Sequence, residues 1–214
     1  MNKIIACLLL GVLSQSVWAL DAADQQRLSG IQQSWAHIQY ELPESQRTAA
    51  FEKLAAQASS FTQERQTVAE AWIWSGIVTS SWAGAQGGLG ALSKVKDAKV
   101  DLEKALALDP KALQGSAYTS LGALYDRVPG WPIGFGDSDK AEQLLKTALQ
   151  LNPNGIDSLY FWGDHLYRQK RYSEAKAALQ KALMAAPRPG RETADAGRRK
   201  EIELLLVDVN KKLG

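Results

Sequence analysis

One spacing occurs three times in this chain: Ala98-x3-Leu102-x2-Ala105-x4-Pro110, Ala141-x3-Leu145-x2-Ala148-x4-Pro153 and Ala175-x3-Leu179-x2-Ala182-x4-Pro187. Small, large and small residues at these intervals share one face of a helix. The proline then ends that helix, because it lacks an amide donor and its ring clashes with the preceding turn. A fixed pattern recurring along a chain is the signature of a solenoid, in which each unit buries its apolar face only against its neighbours. No stretch shows sustained alternation at the strand period, so the expected fold class is all-α.

Reading backwards from the alanines lengthens the unit. Tyr118-x2-Leu121-Gly122-x2-Tyr125 lies ahead of Ala141, and Leu159-x2-Trp162-Gly163-x2-Leu166 lies ahead of Ala175, with Tyr172 three residues before it. Ala141 and Ala175 are 34 residues apart. This resembles the tetratricopeptide repeat, whose period is 34 residues and whose two helices carry W-x2-L-G-x2-Y and A-x3-F-x2-A-x4-P. In that register Gly122 and Gly163 let the paired helix come close, Ala148 and Ala182 do the same from the other side, and Leu145 and Leu179 fill the gap. An earlier unit is degenerate. Its second helix falls near 93–108, its first holds Val68, Trp72, Gly76 and Thr79, and the extra length at 83–90 reads as a loop.

Three further helical stripes flank the repeats: Leu28, Ile31, Trp35 and Ile38; then, beyond Pro43, Phe51, Leu54, Ala58 and Phe61; and at the far end Ile202, Leu205, Leu206, Val209 and Leu213. These suit end caps, which need a polar outer face. The expected architecture is a short right-handed tetratricopeptide-like solenoid of about three helix pairs. It has a helical cap at 20–63, units at 64–110, 111–153 and 154–187, and a capping helix at 188–214.

The first residues read as a processing signal rather than as part of the fold. Lys3 precedes an apolar run from Ile4 to Leu13, and Val17-Trp18-Ala19 offers a cleavage site, so that 1–19 would be removed and the chain would start at Leu20. The run falls short of the roughly 20 residues a membrane helix needs. Cys7, the only cysteine, lies near the start of that run, whereas a lipid-attachment cysteine would follow it. From Leu20 onward no cysteine remains for disulfide or thiol chemistry. The chain carries 25 basic and 23 acidic residues, and Lys3 leaves with the signal. So balanced a charge is no footprint for nucleic acid or an anionic membrane. The expectation is a periplasmic protein without stable membrane insertion.

Catalytic signals are thin. His37 and His165 stand in no H-E-x-x-H spacing. His37 reads as structural, and His165 as a partly exposed helix residue. Gly87-Gly88-Leu89-Gly90 follows no strand and precedes no G-K-[ST], so it connects helices rather than cradling phosphate. No G-x-S-x-G occurs. A non-catalytic protein without metal or cofactor is expected.

Candidate binding residues follow from the resemblance, which places the first helices of successive units on a concave face. The positions are Asp157, Tyr160, Asp164, Tyr167 and Arg168 in the last unit and Ser116, Thr119, Ala123, Asp126 and Arg127 in the middle one. Tyrosine suits such a surface, joining an apolar ring to a polar tip. A second candidate is the insertion from Val128 to Asp137. It holds Trp131, Ile133 and Phe135 among prolines and glycines, and those apolar side chains must pack either on the solenoid or on a ligand. Back-packing is the favoured reading, with Asp137 or Ser138 capping the next helix. Arg188, Arg191, Arg198, Arg199 and Lys200 are interleaved with acids and read as a solvated face with i,i+4 pairs such as Asp195–Arg199.

The family resemblance implies protein–protein contacts, here with a protein or peptide in the periplasm. The chain is also similar to the exported T-component proteins of tripartite periplasmic transporters, in the loop ending at Gly136-Asp137 before an alanine-rich helix, but it lacks their lipobox cysteine. A looser similarity to regulators of microtubule dynamics is set aside by the export signal. The alternative function is a small-molecule-binding accessory of a transport or envelope system, with Trp72, Trp74, Trp82, Trp131, Phe135 and Trp162 walling an apolar pocket.

Overall fold

A computed structural model describes residues 20–88 and 90–214. The proposed signal segment therefore lies outside the described residues. The chain forms α1 (Ala22–Tyr40), α2 (Glu44–Glu64), α3 (Ala69–Gln86), α4 (Gly90–Leu108), α5 (Ser116–Arg127), α6 (Ser138–Leu151), α7 (Ile156–Arg168), α8 (Tyr172–Leu183) and α9 (Glu192–Leu213), with a 3-10 turn at Ala112–Gly115 before α5. Among the described residues there is no strand. No helix among them is long and apolar enough to cross a membrane.

Local chemistry sets the helix ends. The Asp21 carboxylate accepts from the Asp24 amide at 2.8 Å and starts α1. Asp137 accepts from the amides of Asp139 and Lys140, each at 3.0 Å, and starts α6, as the sequence suggests. Pro110, Pro153 and Pro187 stand just beyond the ends of α4, α6 and α8.

The repeat spacing produces one packing contact three times. A Cβ on Gly76, Gly122 or Gly163 would lie 2.6, 2.8 or 2.7 Å from the Cγ of Leu102, Leu145 or Leu179. Only hydrogen fits at those positions. Each leucine is fully buried, which is worth about 1.5–3 kcal/mol per side chain. The pairs α3/α4, α5/α6 and α7/α8 are thereby the same object, and the degenerate first unit pairs its helices as its spacing implies.

That first unit differs from expectation in two respects. The anticipated loop at 83–90 is mostly helix: α3 continues to Gln86 and α4 starts at Gly90. Ala83-Gly84-Ala85-Gln86 can extend a helix, and the chain leaves it only at Gly87 and Gly88, which take φ of +64° and +60°. Val68 precedes α3, and Trp72 and Thr79 are only half-buried, while Ile73, Trp74 and Val78 fill the core.

The odd-numbered helices form a closed ring. In sequence α1 touches α3, α3 touches α5, α5 touches α7, α7 touches α9, and α9 returns to α1. The even-numbered helices pack outside. An open solenoid would have left α1 and α9 apart at opposite ends. Instead the seam is tight: a Cβ on Gly197 would sit 2.3 Å from the Tyr40 ring, the Tyr40 hydroxyl donates to Glu201 at 3.4 Å, and Thr193 Oγ1 donates to Glu41 at 3.2 Å. This revises the part given to α9. Ile202 and Val209 are buried as the stripe predicts, but Leu213 is exposed, and so are Leu204 and Val207, so the outer face is not the polar one of a simple cap.

Candidate functional site: a cavity inside the helical ring

Inside the ring lies a cavity of about 1390 Å³, partly open to solvent and lined from all five inner helices, the first turns of α2 and α4, and the adjoining loops. Small-molecule pockets run to roughly 300–1,000 Å³, so this space admits a large ligand or a segment of polypeptide. Its aromatic walls are Trp35 and Tyr40 of α1, Phe51 of α2, Trp74 of α3, and Tyr160 and Phe161 of α7. Trp35 meets Tyr40 and Trp74 edge-on, with ring centroids 5.7 and 5.9 Å apart. Of the six aromatics proposed from the sequence to wall a pocket, only Trp74 lines this one. Periodicity places an aromatic on a helix but does not say which neighbour that face meets.

The concave register holds for part of the expected set. Ser116, Thr119, Ala123, Arg127, Asp157 and Tyr160 line the cavity. Asp126, Asp164, Tyr167 and Arg168 do not. Asp164 accepts from Arg127 at 2.6 Å and Arg168 at 3.3 Å, and Asp126 lies 3.3 Å from Arg168. Tyr167 packs on Tyr172 at 5.7 Å. Asp126, Asp164 and Arg168 join the middle unit to the last one, and Tyr167 packs within the last unit, rather than facing the interior.

Asp126 also holds His165. The imidazole is fully buried, with Nδ1 2.7 Å from Asp126 Oδ1 and Nε2 3.6 Å from Glu142 Oε2. Burial opposes its charged form, but the hydrogen bond and charge of Asp126, with help from Glu142, outweigh burial and hold its pKa above the ordinary value. The expectation of a partly exposed His165 is thus corrected: its face of α7 lies against Asp126 of α5 and Glu142 of α6. His37 is exposed and lies 2.6 Å from Glu41. Among the described residues no cluster of histidine and carboxylate side chains could hold a metal ion.

The 128–137 insertion is divided. Phe135 packs on Tyr125 with centroids 5.2 Å apart, so that residue folds back. Ile133, 62% exposed, reaches the cavity lining, and Trp131 is 90% exposed beyond a cis Trp131–Pro132 bond. The favoured back-packing holds for one of the three apolar side chains.

The basic cluster near the last helix is not a solvated face. Arg198 is buried and bonds Asp157 at 2.8 Å and Glu201. Arg188 bonds Asp157 and Asp195, each at 2.7 Å. Arg199 does not pair with Asp195; its guanidinium donates to the carbonyls of Leu183 and Ala185, closing the end of α8. Burial would raise the Asp157 pKa, but the charges of Arg198 and Arg188 overcome that and hold it far below the usual carboxylate range. Sequence reasoning missed that α9 and its approach supply arginines to the interior, because it placed α9 at an open end.

Comparison with known proteins agrees with this architecture. Residues 133–192 match the tetratricopeptide repeat family model. The fold is similar to that of a thermophilic TPR protein from Thermus thermophilus, with a TM-score of 0.54 and 21% identity over 86% of this chain and 84% of that one. No curated protein matches the chain. The thrice-repeated glycine–leucine contact, the family match over residues 133–192 and the shared fold together show tetratricopeptide-type repeats in this chain, and that fold suggests a protein-interaction scaffold.

Proposed function

We propose that this protein is a non-catalytic, exported scaffold of the periplasm, and that it receives a segment of a protein partner inside its helical ring. The observation that carries this reading is the closure of the ring: six of the ten side chains that an open repeat array would offer on a concave surface here line an interior cavity of about 1390 Å³. Thr119, Arg127, Asp157 and Tyr160 would meet the partner on the α5–α7 wall, and Ile133 at the rim, with Trp131 and Phe135 in the same insertion. Export is supported by Lys3, the Ile4–Leu13 run and the Ala19 site.

A photo-crosslinking amino acid at Ser120, which lines the cavity, should capture a defined partner peptide in cells. The same group at Val100, exposed and outside that lining, should not. Equal capture at both positions, or capture only at Val100, would move the interface to the outer surface. A small-molecule-binding accessory is the second reading, favoured by the aromatic walls and the arginines among them.

A further inference from the structure

The loop between α6 and α7 reads Asn152-Pro153-Asn154-Gly155 and holds the one Asn-Gly pair of the chain. The main-chain nitrogen that follows an asparagine can attack that asparagine's own carboxamide, provided the nitrogen is accessible and the chain can bend. Glycine is the most permissive residue in the second position, because it has no Cβ. The other described asparagines lack these conditions. Asn152 precedes Pro153, whose nitrogen carries no hydrogen to lose. Asn210 precedes Lys211 inside α9, where the amide belongs to the helix hydrogen-bond ladder.

The fold leaves Asn154 open to this reaction. The residue is exposed, in the turn that leads into α7. The Gly155 N–H donates to the Asn152 carbonyl at 3.3 Å, longer than an ordinary bond of this kind. Gly155 is the N-cap of α7, with φ −71° and ψ 131°, so its amide stands outside the helix ladder. The Ser158 hydroxyl fixes this corner from 2.8 and 3.1 Å away, on the carbonyls of Asn152 and Gly155, and neither carbonyl is a reacting group. Asn154 and Gly155 both belong to the lining of the cavity.

We propose that Asn154 is a site of spontaneous modification in the cavity wall. The Gly155 nitrogen gives its proton to water or hydroxide and bonds to the Asn154 Cγ. The carboxamide C–N bond breaks, and ammonia leaves with a proton returned from solvent. Water then opens the cyclic imide at one of its two carbonyls. Opening at Cγ gives aspartate, and opening at the main-chain carbonyl gives isoaspartate. One water is consumed and one ammonia released, and nothing is oxidised or reduced. Both products put a carboxylate in the lining. Aspartate keeps the main chain intact, and its charge suits the N-terminus of α7. Isoaspartate adds a methylene to the main chain ahead of Gly155. That displaces the carbonyls on Ser158 and loosens the turn that carries Asp157 and Tyr160 into the cavity. The reaction is independent of what the cavity receives.

Peptide mass mapping of the folded mature protein, aged in buffers at pH 7 and pH 9, tests this. Asn154 should convert at least tenfold faster than Asn210, faster at the higher pH, with more isoaspartate than aspartate by isoaspartyl-methyltransferase labelling. Gly155→Ala should slow the reaction at least fivefold. A Cβ there would meet the Asn152 amide, so the comparison of Asn154 with Asn210 in the unmodified protein stands should that variant fold poorly. Amide exchange over 156–160 should be faster in aged protein than in fresh, and unchanged in Asn154→Asp. Conversion of Asn154 no faster than that of Asn210 would overturn the proposal, as would reaction only in urea-unfolded protein or an unaltered rate in Gly155→Ala. Equal exchange in aged and fresh protein would overturn the effect assigned to isoaspartate.

Discussion

Gly197→Ala isolates the closure of the ring. On an ordinary helix the change is favourable by about 0.5–1 kcal/mol, since glycine loses the more backbone freedom on folding. Here the added Cβ would stand 2.3 Å from two carbons of the Tyr40 ring. Carbon atoms pack at about 3.5 Å or more, so α9 and the ring must part by roughly 1.2 Å. Tyr40 has little freedom to give way, held edge-on against Trp35 and bonded through its hydroxyl to Glu201. Overpacking of this kind costs about 1–3 kcal/mol, so the net effect is a loss of about 0.5–2 kcal/mol. The melting temperature should fall by about 1–8 °C at this chain length. In a Tyr40→Ala background the obstacle is gone, and the same change should become stabilising by about 0.5–1 kcal/mol. The assay is urea or thermal unfolding of the four proteins of the cycle. If Gly197→Ala stabilises equally with and without Tyr40, α1 and α9 do not meet, and the ring is not closed.

Other perturbations read other parts of the molecule. Because the His165 pKa is raised in the folded protein, its contribution to stability is fully present below its unfolded value of about 6.5 and declines as pH rises through the folded value. The urea midpoint should therefore drop between pH 6 and 8.5, and that drop should be smaller in His165→Gln. Ala148→Leu puts a large side chain where the residue is fully buried between paired helices, and should cost about 1–3 kcal/mol in chemical unfolding; an unchanged midpoint would contradict the α5/α6 register. Asp137→Ala removes the cap that accepts from two amides of α6 and should cost about 1 kcal/mol, measurable by the same unfolding.

The repeat units were legible because their rules are local and periodic. Gly122, Leu145 and Ala148 lie within one helix pair, and a spacing suffices to bring them together. The concave positions were legible to the extent that helix phase decides them: Thr119, Arg127, Asp157 and Tyr160 reach the cavity. Asp126, Asp164 and Arg168 escaped that logic, because the ion pairs they make reach across to the neighbouring unit or along the helix face and draw them out of the groove. Least legible was the seam. Tyr40 and Glu201 are 161 residues apart in sequence, and no periodicity relates them. The one local trace was Gly197 itself, a poor helix former in the second turn of a 22-residue helix, whose reason appears only when the Tyr40 ring is seen against it.

The meeting of α9 with α1 has a consequence for how such a chain can change over time. Open repeat arrays lengthen easily, since a duplicated unit docks on a neighbour identical to its old one and disturbs nothing farther away. A circle has no free end at which to add. One more helix pair between α6 and α7 would have to prise Tyr40 from Gly197, uncover Trp35 and Trp74, and separate Arg191 from the indole it covers. The number of units is therefore fixed by geometry, as the number of staves is fixed by the hoop of a cask. Variation in this lineage should fall on the loops and on the lining of the interior rather than on the count of helices.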